Sequence, residues 1–67
     1  MWNGEKIREF REKRKWSQKQ LAEFLRVKVR TIRAWEKGER NIPGPVTKLL
    51  ELLDIWDEWL NKNGESP

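Results

Sequence analysis

An all-α fold of five short helices is what this sequence predicts, and three observations carry the prediction. Apolar residues recur three and four apart in successive stretches, the spacing that gathers them on one helical face. Ser17 and Gln20 stand in the relation of a capping box, in which each side chain satisfies a backbone N–H at a helix start. Gly38 and the turn-forming run GERNIPG after Lys37 then mark where a helix must stop.

The first helix is predicted from about Gly4 to Arg14, with Asn3 as N-cap, Trp2 and Ile7 stapled around it, and Ile7 and Phe10 buried. Its other faces alternate in charge, and Glu9–Lys13 has the i,i+4 spacing of a helical ion pair. The second helix opens at Ser17, with Trp16 and Leu21 as its staple and Leu21, Ala22 and Leu25 as its apolar stripe. The pattern breaks at Arg26-Val27. A third helix, about Lys28 to Lys37, resumes it with Ile32 and Trp35 on one side. Lys28, Val29, Arg30, Arg33, Ala34 and Lys37 are left on the other, a face too basic to read as solvated surface alone. Trp35 is flat enough to serve as a stacking platform, but its spacing from Ile32 places it in the core.

Pro45 opens a fourth helix with Val46, Leu49, Leu50 and Leu53 inward. Asp54, with Asp57 three residues on, reads as the start of a fifth, carrying Ile55, Trp56, Trp59 and Leu60. Residues 61–67 are expected to fray. The whole chain, 1–67, reads as one small domain, near the lower limit for burying a core unaided.

Composition narrows the function. The chain has no cysteine and no histidine, which excludes disulfides, zinc fingers and histidine catalysis. Tyrosine is absent too, the carboxylates sit on charged helix faces, and no glycine-rich phosphate loop occurs, so no enzyme is expected. No cofactor, metal or small-molecule substrate is implied. The apolar runs are too short to span a membrane, and the charged start MWNGEKIREF reads as no signal peptide. Residues 1–42 carry 13 Lys/Arg against 6 Asp/Glu, whereas 43–67 carry 2 against 5. That asymmetry suits a polyanion on one side and a different partner on the other.

Ser17-Gln18, Leu21-Ala22, Leu25-x-Val27, Thr31-Ile32 and Trp35-Glu36-x-Gly38, continued by Pro43-x-Pro45, Leu49-Leu50, Leu53 and Trp59-Leu60-Asn61, resemble the phage repressor and Cro family. The resemblance covers nearly the whole chain. It implies a compact five-helix DNA-binding domain whose second and third helices form a helix-turn-helix, in a cytoplasmic protein encoded by a prokaryote or phage. Two places depart from the family pattern. Arg26 stands where glycine is usual, at a position that often takes positive φ, and Lys28 stands where a capping serine is usual.

The resemblance also implies roles. Arg11 on the first helix pairs with Glu36 at the end of the third, a structural ion pair rather than a DNA contact. Val29, Arg30 and Ala34 face the major groove, with Lys28, Arg33 and Lys37 flanking. Arginine can bridge O6 and N7 of guanine, and valine and alanine can meet a thymine methyl. Whether Arg30 or Arg33 reads the base stays open, with Arg30 favoured. Gln18 at a helix start is expected on phosphate with Lys19 assisting, and Lys37, Arg40 and Asn41 grip phosphates beyond the groove. Trp56, Asp57 and Trp59 are assigned to a dimer or partner surface, with Trp59 mainly core and Trp56 exposed. The implied function is a homodimeric, sequence-specific regulator of double-stranded DNA acting as a repressor. The alternative is an antitoxin or adaptor of the same fold, since VRTIRAWEKGERNIPGP…LLELL also resembles antitoxins whose C-terminal surface holds a protein.

Overall fold

The computed structural model describes residues 2–62, and among these it contains four helices: α1 (Gly4–Lys13), α2 (Gln18–Leu25), α3 (Val29–Lys37) and α4 (Gly44–Lys62). The local signals set the boundaries. Asn3 caps α1, its side-chain oxygen accepting from the Lys6 N–H at 2.9 Å. At α2 both halves of the capping box form: Gln20 N–H donates to Ser17 Oγ at 3.1 Å and Ser17 N–H to Gln20 Oε1 at 2.7 Å. The α3 N-cap, Lys28, provides no side-chain hydrogen bond. Gly38 ends α3 in the left-handed conformation at φ 77°, its N–H reaching back to the Ala34 and Trp35 carbonyls.

The turn between α2 and α3 takes its sharp bend through Arg26 itself, at φ 60° and ψ 43°. A left-handed non-glycine residue costs about 1–2 kcal/mol. It is held there because Val27 N–H bonds the Ala22 carbonyl at 2.9 Å while the valine side chain packs on the core. Lys15 adopts the same conformation between α1 and α2, at φ 58°.

Each helix contributes to one core: Trp2 ahead of α1, then Ile7 and Phe10, Leu21 and Ala22, Ile32 and Trp35, and Leu50. Trp2, Phe10, Trp16 and Phe24 run through and out of it as successive ring contacts, with centroids 5.2 to 6.2 Å apart. Gly4 sits where α1 meets the end of α3. A Cβ there would lie 2.6 Å from the Trp35 carbonyl oxygen and closer still to that of Glu36, so any side chain is refused.

The C-terminal half corrects the expected architecture. There is no break at Asp54: the predicted fourth and fifth helices are one helix of 19 residues, and the five-helix bundle becomes four helices. Neither glycine nor proline interrupts 46–62, and the Asp54 carboxylate is used by α1 rather than by a cap. It accepts from Lys13 Nζ at 3.3 Å and lies 3.6 Å from Arg14. Asn61 and Lys62, expected to fray, belong to this helix, while 63–67 lie outside the described residues. Continuity fixes the helix faces as well. Leu50 is buried and Val46 and Leu53 pack on the core, but Leu49, expected inward, is turned out. Trp59, expected mainly in the core, is half exposed and stacks on Trp56 with ring centroids 5.6 Å apart.

Candidate nucleic-acid interface

Glu36 is the only carboxylate on α3, and the fold turns it inward. Arg11 donates to it twice, from Nε at 2.8 Å and from an Nη at 3.2 Å, while another Arg11 nitrogen holds the Trp16 carbonyl at 3.0 Å. The Glu36 side chain is only 8% exposed and that of Arg11 15%. Its hydrogen bond to Glu36, aided by that charge and opposed by burial, pushes the Arg11 pKa above its ordinary value, so the guanidinium stays charged. Both residues are thereby consumed in joining α1 to α3.

With Glu36 withdrawn, the exposed side of α3 is purely cationic. Ile32 and Trp35 are buried, and at 100° per residue Arg30, Arg33, Ala34 and Lys37 fall around the opposite direction. Arg30, Arg33 and Lys37 are exposed and Ala34 partly so. Val29, assigned to the same face, stands at its edge and packs partly on the core. Lys28 and Lys19 are exposed at the starts of α3 and α2.

Gln18 ties this face together. One amide hydrogen goes to Glu36 at 3.1 Å, and the amide oxygen accepts from Arg33 Nε at 3.3 Å. The second amide hydrogen and the first backbone N–H groups of α2 are what it offers a phosphate. The Gln18 link also steadies Arg33 against the α2 start, whereas Arg30 has no such tether among the described residues and projects from the first turn of α3.

Arg8 was not singled out by sequence reasoning, yet it lines a shallow cleft of about 410 Å³ with Gln18, Arg33, Glu36 and Lys37. Its signal is the spacing: Arg8 lies three residues before Arg11, so it shares the α1 face that meets α3. Arg40 and Asn41 are exposed but border a different cleft of about 710 Å³, between the Trp2 segment, their own loop and α4. Asp57, assigned to a partner surface, is ion-paired to Arg14, the residue that caps the end of α1. Arg14 also lies 3.6 Å over the Phe10 ring and bonds the Phe10 carbonyl, so this cluster joins α1 to α4.

Two helices at a tight left-handed turn, the second buried on one side and bare of acid on the other, form a helix-turn-helix. The helix-turn-helix family model matches residues 7–55, which include α1 to α3 almost entire and most of α4. The chain belongs to the Cro/C1-type (XRE) helix-turn-helix family. No curated protein and no solved structure matches it. Members of this helix-turn-helix family are DNA-binding regulators, and their partner is double-stranded DNA. No helix among the described residues of this family member is long and apolar enough to cross a membrane. No group of acidic residues among them is arranged to hold a metal ion.

Proposed function

We propose that the protein is a sequence-specific transcriptional repressor that binds double-stranded DNA as a homodimer, α3 of each copy lying in the major groove. One observation carries the reading: the sole carboxylate of α3 is held by Arg11 and Gln18, leaving Arg30, Arg33 and Lys37 exposed with no acidic neighbour on their helix. Arg30, untethered and near the N-terminal end, reads a base, with guanine as its natural partner. Ala34 beside it offers apolar contact to a thymine methyl, and Val29 supports that contact from the edge. Arg33, held by Gln18, joins Lys19, Lys28, Lys37 and Gln18 on the phosphates, and Arg40 and Asn41 extend the grip.

The test is retention of random duplex DNA by the purified chain at near-physiological salt, followed by sequencing. Enrichment of a two-fold motif with half-sites roughly 10 base pairs apart is the expected result. Retention without enrichment overturns the sequence-specific reading and leaves a basic domain that binds DNA through its phosphates.

An antitoxin or adaptor role is the competing reading, and the exposed apolar side of α4 favours it. Co-purification of a small protein encoded beside this one, in place of a dimer, would establish it.

A further inference from the structure

The cleft of about 710 Å³ between the Trp2 segment, the loop after α3 and α4 shares only Arg40 and Asn41 with the proposed DNA interface. Its volume lies within the roughly 300–1,000 Å³ of small-molecule sites, which combine apolar walls with a few placed polar groups. Trp2, Trp35 and Ile42 supply the apolar part from three separate segments, and both indoles are otherwise locked in the core. Several polar groups of the cleft are already used. Asn3 Oδ1 accepts from the Lys6 N–H at 2.9 Å, and the Thr47 hydroxyl donates to the Gly44 carbonyl at 2.8 Å. Others are unspent. Arg40 and Glu51 are exposed, and no ion pair among the described residues uses either. Trp2 is only 7% exposed, yet its Nε1–H is buried with no hydrogen-bond partner, a rare condition for a buried donor.

We propose that this cleft binds a small zwitterion with a flat apolar body, the chemistry of an aromatic amino acid. Its carboxylate pairs with Arg40, its ammonium with Glu51, and its ring lies against the wall of Trp2, Trp35 and Ile42. Charge decides the class. A simple anion would suit Arg40 but be repelled by Glu51, and a simple cation would meet the reverse. A neutral ligand would strip water from both charges and pair neither. A zwitterion pairs both, and its carboxylate brings the acceptor that the Trp2 N–H lacks. The occupant also acts on DNA, a consequence that rests on the DNA reading above. There Arg40 grips phosphate, so a guanidinium held by the ligand is withdrawn from the duplex. Ligand and duplex therefore weaken each other by one common factor. The cleft is an effector site that loosens the regulator from its DNA.

The five tryptophans give five indole N–H lines in a correlation spectrum of the isotope-labelled protein, and these report on the cleft without DNA. L-phenylalanine is the probe. It is expected to shift the Trp2 and Trp35 lines saturably, with a Kd of about 1 mM, and to leave those of Trp16, Trp56 and Trp59 in place. Hydrocinnamate, which lacks the ammonium, and phenethylamine, which lacks the carboxylate, are each expected to bind roughly tenfold more weakly. Arg40→Ala should abolish the preference over phenethylamine, and Glu51→Gln the preference over hydrocinnamate. Both side chains are exposed, so both variants should keep the indole spectrum of the free protein. Unmoved Trp2 and Trp35 lines, shifts confined to Trp56 and Trp59, or equal binding of all three probes would overturn the site. Saturating L-phenylalanine is also expected to lower duplex retention by the unmodified chain but not by Arg40→Ala. Equal retention with and without it, while the two lines shift, would overturn the effector role. A chain that retains duplex with both lines unmoved removes the site and leaves the DNA reading standing. A chain that binds L-phenylalanine as expected and retains no duplex supports the site and removes the DNA reading.

Discussion

The guanidinium of Arg11 grips Glu36 with two hydrogen bonds, at 2.8 and 3.2 Å, and this one pair both closes the helical core and clears the basic face of α3. Arg11→Ala would leave a sheltered carboxylate with only Gln18 as donor, at a cost of about 3 kcal/mol. For a domain this small that is a large part of the total stability. Arg11→Met combined with Glu36→Leu should recover most of it, because neither charge is then stranded. Urea unfolding of these two variants beside the unmodified protein measures this. Because the folded pKa of Arg11 is raised, its contribution is present below the unfolded value and lost only as pH climbs through the folded one. Arg11 itself should therefore impart no pH dependence to stability across the neutral range.

Arg30→Ala and Lys37→Ala should separate reading from gripping. The first should relax preference at one base position of an enriched motif, at about 1–3 kcal/mol of discrimination. The second should weaken all sequences alike and lower the salt slope by about one. Titrating both against matched and mismatched duplexes distinguishes them; uniform losses from both would contradict the assignment of Arg30.

Arg8 supplies a cation from α1 to the cleft beside Gln18 and Lys37. Arg8→Ala should leave the unfolding midpoint nearly unchanged, since the side chain is exposed, while weakening DNA binding without altering the preferred sequence. Affinity measured at two salt concentrations tests it.

Arg26 holds the turn at φ 60° against its own preference. Arg26→Gly removes the Cβ conflict and should stabilise the domain by about 1 kcal/mol, offset in part by the greater freedom of glycine in the unfolded chain. An unchanged or lowered urea midpoint would show the strain to be smaller than the angle implies.

Gly4→Ala is the opposite case. A Cβ driven against the Trp35 and Glu36 carbonyls must part α1 from α3, with a loss of about 1–3 kcal/mol. Thermal unfolding beside Gly44→Ala, where a Cβ meets nothing within 4 Å, separates this clash from the general effect of replacing glycine in a helix.

The sequence by itself determined the first three helices. Their signals are local: a capping box closes within four residues, Gly38 stops its own helix, and the spacing of Ile32 and Trp35 names the buried edge of α3. Tertiary structure decided the rest. Asp54 resembles a helix start when only its neighbours are read, but Lys13 and Arg14, some forty residues earlier, take its carboxylate and the helix runs on. The faces of Leu49 and Trp59 follow from that continuity, because a helix without a bend cannot turn Trp59 back to the core. The commitment of Gln18 to Glu36 and Arg33, the close approach at Gly4 and the place of Arg8 in the cleft all depend on where α1 crosses α3. A local signal states what a residue prefers, and which preference prevails is decided by the side chain that packing brings against it.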